Sequence, residues 1–113
     1  MLSDTKIFRV GSGKAVTLDV EYGEGDPGGT STLWNGSKID VPQGVAVTFD
    51  NGGSPVRGIL NCRSNVKDLN SQTNRTSVTY HLSGGPQPQQ FTYAIEVPNQ
   101  GDIAEYAINF VFL

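Results

Sequence analysis

The chain has 113 residues, of which eight are Lys or Arg and eleven are Asp or Glu, so its formal net charge is −3. This length predicts one domain that folds without a metal or a disulfide, and the single cysteine, Cys62, excludes an internal disulfide bond. No run of Lys and Arg occurs, which argues against nucleic acid as a partner, and no apolar stretch is long enough to insert into a membrane. We expect a soluble protein that is cytoplasmic or is secreted without a recognisable signal peptide.

Short segments of alternating apolar and polar residues recur along the chain and are separated by turn residues. The alternation is clearest in five segments: 16–22, 45–50, 77–82, 91–97 and 106–112. Shorter candidate strands lie at 5–10, 30–34, 37–41 and 56–62. No long helical period competes with this pattern. The sequence therefore predicts an all-β fold, built as an antiparallel β-sandwich.

The dipeptide Asn35-Gly36 lies between two strand-like segments and predicts a two-residue hairpin, because a type I′ turn needs positive φ at both central residues. In such a hairpin Trp34 shares one side of the ribbon with Ile39 and Val41. We therefore expect the tryptophan to pack in the core or between the sheets, and not to serve as an exposed stacking platform.

The last segment carries two conflicting signals. Asp102 to Glu105 has the spacing of a helix capping box, whereas "YAINFVFL", residues 106–113, is rich in aromatic and β-branched residues and favours a strand. The residues that alternate with its aromatic side chains are also largely apolar: Ala107, Asn109, Val111 and Leu113. A strand that is apolar on both sides is either central and covered, or part of a subunit interface.

Candidate catalytic groups are sparse. Nucleophilic catalysis needs a base beside the nucleophile, and nothing in the sequence brings the only histidine, His81, to Cys62, which we interpret as a small buried hydrophobic residue. The acidic residues cluster near loops, where a solvated loop edge is commoner than a pair of glycosidase carboxylates. The segment "GEGDPGG" lacks the ligand spacing of a calcium loop, and there is no zinc or phosphate-binding pattern. We expect no catalytic residue, no cofactor and no bound metal.

Four segments follow one another in a recognisable order. The chain opens with "SDTKIFRV", continues with "KAVTLDVEY" and "YGEGDPGG", and ends with "VPNQGDIAEY" at residues 97–106. In order and spacing these segments resemble the fungal immunomodulatory proteins, which are small lectin-like proteins of nearly this length. The third segment is similar to the family's aromatic-Gly-x-Gly-x-Pro loop, and the fourth resembles its last hairpin.

The resemblance implies an immunoglobulin- or fibronectin-III-like sandwich, a homodimer, and binding to cell-surface glycans or glycoproteins with stimulation of immune cells. The family's sugar-binding positions correspond to Tyr22, Asp26 and Thr32. We expect the Tyr22 ring to stack on a sugar while its hydroxyl stays in water, and Asp26 to accept hydrogen bonds from sugar hydroxyls. The alternative is that Tyr22 closes the core and Asp26 caps a turn before Pro27.

The N-terminus departs from the family. Members typically dimerise through an amphipathic N-terminal helix, but Gly11-Ser12-Gly13 follows "KIFRV" directly, and each glycine inside a helix costs about 1 kcal/mol. We therefore expect residues 1–13, a candidate dimerisation element, to form a strand or a short helix, and residues 14–113 to form a single sandwich domain. Phe91 and Val111 also stand where the family has other residues.

The sequence is compatible with three functions. The favoured one is a non-enzymatic, lectin-like immunomodulatory protein that binds glycans as a homodimer. The alternative is a structural or self-assembling β-sandwich subunit, or a protein-interaction module, whose last strand forms an interface. A hydrolase that uses loop carboxylates is the least favoured.

Overall fold

The computed structural model of the chain describes residues 1–11, 15–49 and 57–113. Residues 12–14, 50 and 56, which belong to predicted segments, lie outside the described residues. The described residues form nine strands and no helix: β1 (Leu2–Phe8), β2 (Val16–Tyr22), β3 (Gly28–Trp34), β4 (Ser37–Val41), β5 (Val47–Phe49), β6 (Gly58–Lys67), β7 (Arg75–Ser83), β8 (Gln89–Glu96) and β9 (Ile103–Phe112). The prediction of an all-β protein is confirmed.

The strands form two packed sheets, an arrangement consistent with the expected β-sandwich. One sheet has five strands in the order β1-β9-β6-β3-β4, and the other has four in the order β5-β2-β7-β8. The pairings are antiparallel except that of β1 with β9, which is parallel. None of the described segments is a helix with the length and hydrophobicity needed to span a lipid bilayer.

The N-terminal segment is a strand and not a helix. Strand β1 lies at the edge of the five-stranded sheet and pairs with β9 over its whole length, from Leu2 opposite Tyr106 to Phe8 opposite Phe112. The Phe8 side chain is fully buried, and its ring centroid is 5.7 Å from that of Phe112. The first strand is therefore part of the sandwich core.

Strand β9 begins at Ile103, so the capping-box spacing at Asp102 does not start a helix. Hydrogen-bonded neighbours on both sides, β1 and β6, satisfy its backbone in the sheet. This confirms the prediction of a strand. One side of β9 is buried in the sandwich, while Asn109 and Val111 lie on the outer face and are partly exposed.

The hairpin between β3 and β4 forms as predicted. Asn35 and Gly36 have φ angles of 48° and 89°, the positive values that a type I′ turn requires. Trp34 packs inward, with its ring centroid 5.5 Å from that of Phe49 and 5.2 Å from that of Phe112. Its predicted place between the sheets is therefore confirmed.

One predicted strand is shorter than expected. The alternation suggested a strand over 45–50, but β5 covers only Val47–Phe49. The N–H of Val45 instead donates to the carbonyl of Pro42 at 3.2 Å, so this residue closes a turn and its side chain is exposed.

The core forms where the inner faces of the two sheets meet. Phe110 of β9 lies at this junction, with its ring centroid 5.5 Å from that of Tyr80 in β7 and 5.4 Å from that of Phe91 in β8. The ten aromatic residues of the chain are all buried or packed against the buried core. The described structure therefore has no fully exposed aromatic side chain.

Candidate functional site

Tyr22, the first of the three predicted sugar-binding residues, points into the sandwich. Its side chain is 9% exposed, and its hydroxyl lies 2.6 Å from the Thr30 hydroxyl. The ring occupies the space beside Gly28, where any Cβ atom would come within 2.5 Å of it. The expectation that the hydroxyl stays in water is wrong, because Tyr22 closes the core, and this burial raises the pKa of its hydroxyl.

The Tyr22 hydroxyl begins a chain of internal hydrogen bonds that joins the two sheets. The Thr30 hydroxyl lies 2.8 Å from that of Ser64, which lies 2.6 Å from the hydroxyl of Tyr80. Tyr22 and Tyr80 belong to the four-stranded sheet, whereas Thr30 and Ser64 belong to the five-stranded sheet. These hydroxyls satisfy one another, so their role in the folded protein is structural.

Asp26 and Thr32 are buried as well. Asp26 Oδ1 accepts hydrogen bonds from the N–H groups of Leu69 and Asn70, at 2.9 and 3.0 Å, so it caps the turn after β6 and not the turn before Pro27. The Thr32 hydroxyl donates to the carbonyl of Ile39 at 2.7 Å. A role of Tyr22, Asp26 and Thr32 in sugar binding stays a prediction, and their burial does not favour it.

Cys62 and His81 lie in different sheets and do not form a catalytic pair. Cys62 is buried in β6, and burial raises the pKa of its thiol to about 12. His81 faces the outer side of the four-stranded sheet, where its Nε2 is 3.1 Å from Glu21 Oε2. A thiol that stays protonated is a weak nucleophile, so the interpretation of Cys62 as a structural residue agrees with the structure.

A groove of about 470 Å³ crosses the outer face of the five-stranded sheet. We call it the outer groove. The strand register places Ser3, Ala107, Arg63 and Ser31 in one row across it, and Asn109, Asn61, Leu33 and Lys38 in the next. A smaller cleft of about 210 Å³ lies on the four-stranded sheet beside Asp19 and His81.

Two asparagines lie side by side in the outer groove. Asn61 Nδ2 donates to Asn109 Oδ1 at 2.7 Å, a contact between β6 and β9. This bond uses one polar atom of each amide. It leaves Asn61 Oδ1 as an acceptor and Asn109 Nδ2 as a donor, both held in place by the sheet.

The charged groups of the outer groove are basic. Lys38 and Arg63 line it and are exposed, and no acidic residue belongs to the lining. Arg63 Nη1 lies 3.7 Å from the sulfur of Met1. Within residues 1–11, 15–49 and 57–113, the ion pairs are Asp4 with Lys6 and Glu21 with His81, so neither basic group of the groove is paired.

Sequence reasoning missed this groove. Alternation showed that β9 has a second face, but the strand order, and with it the contact between Asn61 and Asn109, depends on a pairing between residues 48 positions apart.

In the described ranges, no group of three or more His, Cys, Asp or Glu side chains could hold a metal ion. Comparison of the chain with protein-family models, with curated proteins and with solved structures gave no match. The family resemblance therefore stays a prediction.

Proposed function

We propose that the protein is a non-enzymatic, lectin-like module that binds cell-surface glycans or glycoproteins in the outer groove. The observation that carries this proposal is the pair Asn61 and Asn109. Neighbouring sugar hydroxyls each donate and accept hydrogen bonds. The acceptor Oδ1 of Asn61 and the donor Nδ2 of Asn109 match two such hydroxyls without rearrangement.

Lys38 and Arg63 favour glycans that carry a carboxylate or a sulfate. Both basic groups line the groove without an acidic neighbour in it. A guanidinium binds a planar carboxylate with two parallel hydrogen bonds, and such charged hydrogen bonds are stronger than neutral ones. Acidic sugars are therefore the preferred class of ligand within this proposal.

Stimulation of immune cells and an immunoglobulin- or fibronectin-III-like topology belong to the same proposal, since only the family resemblance supports them. In the immunoglobulin arrangement the last two strands lie in one sheet. Here β8 and β9 lie in different sheets, so the connectivity differs from that arrangement in at least this respect.

A glycan array followed by calorimetry with the best ligand tests the proposed site. The variant Asn109→Ala removes the donor and breaks the asparagine pair, so we expect its affinity to fall about tenfold or more. The matched control is Asn65→Ala, because Asn65 is exposed on the same face but does not line the groove. A blank array, or equal affinities for Asn109→Ala and wild type, would contradict the proposal.

Self-association is the second candidate function. Ile7, Val111 and Ile59 form a row across β1, β9 and β6 on the same outer face. Ile7 is 58% exposed and Ile59 is 47% exposed, so the row forms an apolar strip that is exposed to solvent in the monomer. We propose that a second copy of this chain binds to this strip, because the family resemblance implies a homodimer.

Light scattering across a dilution series measures this association. We expect a dimer for wild type at micromolar concentration and a monomer for Ile59→Lys, because a buried unpaired charge opposes the contact. Ile103→Lys is the control, since Ile103 is 59% exposed on the same face but lies at the far end of β9 from this row. A wild-type protein that stays monomeric at all concentrations would exclude this candidate.

A further inference from the structure

Two aspartates face each other at one end of the five-stranded sheet. Gly28 pairs with Val66, and the ladder between β3 and β6 continues one step further, because the Lys67 N–H donates to the Pro27 carbonyl at 3.0 Å. The next pair in the same register is Asp26 and Asp68. Both lie two positions beyond the pair Gly28 and Val66, so they point to the same side of the sheet as Val66, toward the sandwich interior.

Both carboxylates are buried without a compensating charge. Asp68 is 0% exposed, and neither of its carboxylate oxygens has a hydrogen-bond partner in the described part of the chain. Asp26 is 3% exposed, and its Oδ2 also lacks a partner there. The ion pairs of the described residues involve neither group. A buried, unpaired carboxylate costs several kcal/mol, and a bound ligand that supplies positive charge would offset this cost.

The other groups that face this pair do not supply that charge. The Asp68 N–H donates to the carbonyl of Asp102, the residue before β9, at 2.9 Å, which places a third acidic residue near the pair. The Asp102 carboxylate forms a hydrogen bond within its own turn, where Oδ2 accepts a hydrogen bond from the Asn99 N–H at 3.0 Å. The Tyr106 hydroxyl is bonded to the Thr76 hydroxyl at 2.7 Å. At this end of the sheet, the unpartnered carboxylate oxygens of the described residues are therefore Oδ2 of Asp26 and both oxygens of Asp68.

We propose that Asp26 and Asp68 bind a divalent cation, Ca²⁺ or Mg²⁺, between the start of β3 and the end of β6. Carboxylate oxygens are the ligands that these hard cations prefer, and Mg²⁺ sites often contain only one or two carboxylates with water completing the shell. The ligand spacing of a calcium loop does not predict this site, because Asp26 precedes β3 and Asp68 follows β6. The two residues are 42 positions apart in the sequence.

Thermal unfolding of chelator-treated protein, titrated with CaCl₂ or with MgCl₂, tests the site. At a free cation concentration of about 100 times the dissociation constant, we expect the melting temperature of wild type to rise by about 10 °C. Calorimetric titration is expected to show one site per chain. No change in melting temperature and no heat up to about 10 mM of either cation, above the range of weak extracellular calcium sites, would overturn the proposal.

Charge-neutralising variants identify the ligands. Asp68→Asn keeps the side-chain size and is expected to weaken cation binding at least tenfold, and Asp26→Asn serves if that variant does not fold. Asp40→Asn, on the exposed side of β4, is expected to bind like wild type. A variant at Asp68 or Asp26 that binds the cation as wild type does would overturn the proposal. A wild-type protein that does not respond to either cation, together with an Asp68→Asn variant that is more stable than wild type, would also overturn the proposal.

Discussion

Raising the pH from about 8 to about 11 is expected to lower the free energy of unfolding by several kcal/mol. Burial raises the pKa of the Cys62 thiol to about 12, and it also raises the pKa of the Tyr22, Tyr80 and Tyr106 hydroxyls above their usual value. The pKa of Tyr93 is raised by burial and by its hydrogen bond to the Asp4 carboxylate. All five shifts have the same sign, so their effects on stability add.

The direction follows from proton binding. The unfolded chain loses these protons between about pH 8.5 and 10, whereas the folded chain keeps them to higher pH. The stabilisation is therefore complete below the unfolded pKa values and is lost as the pH rises toward the folded ones. The titration of Cys62 and Tyr80, which are both buried, is expected to lower the free energy of unfolding by about 4 kcal/mol at pH 11.

Urea unfolding followed by Trp34 fluorescence, repeated at several pH values, measures this loss. The Cys62→Ala variant is the control, because it lacks the thiol and is expected to lose about 1 to 2 kcal/mol less stability than wild type between pH 8 and 10. A free energy of unfolding that stays constant up to about pH 11, with tyrosinate absorbance developing in folded protein, would contradict the buried arrangement of these groups.

Phe110→Ala is expected to lower the free energy of unfolding by about 3 to 5 kcal/mol. The side chain is fully buried and its ring connects β9 to Tyr80 and Phe91 of the opposite sheet. Its removal leaves a cavity between sheets that the surrounding strands cannot close without losing their own pairing. Since domains of this kind are stable by only about 5 to 15 kcal/mol, a large part of the stability is lost.

Val111→Ala provides the matched control for this prediction. Val111 is the next residue of the same strand but lies on the outer face and is partly exposed. We expect a loss of about 1 kcal/mol or less. The free energies of unfolding of the two variants are measured with urea, at a protein concentration where the chain is monomeric. Equal decreases in the free energy of unfolding would show that Phe110 does not occupy the centre of the core.

Much of the fold could be predicted from local pattern. The alternation over 16–22 and the Asn35-Gly36 turn gave correct elements because period-two burial and positive φ are encoded by neighbouring residues. The last strand was also predictable, since aromatic and β-branched residues outweighed the capping-box spacing at Asp102.

The candidate site could not be predicted in the same way. Tyr22 ends an alternating row at a glycine-rich loop, a position that favours exposure. In the structure, Gly28 leaves room for the Tyr22 ring, and the Tyr22 hydroxyl forms a hydrogen bond with the Thr30 hydroxyl. The outer groove depends on which strands are neighbours, and that order brings Asn61 beside Asn109. Such contacts are set by long-range pairing and not by the residues around each position.

Mapping the glycan contacts by backbone amide NMR would test the proposed binding site most directly. In a titration with the best ligand from the array, we expect the largest chemical-shift changes at Asn61, Arg63 and Asn109 and at the neighbouring amides of β6 and β9. The amides of residues 23–26 are expected to stay unchanged. Changes confined to residues 23–26, or no change at any amide, would contradict binding in the outer groove.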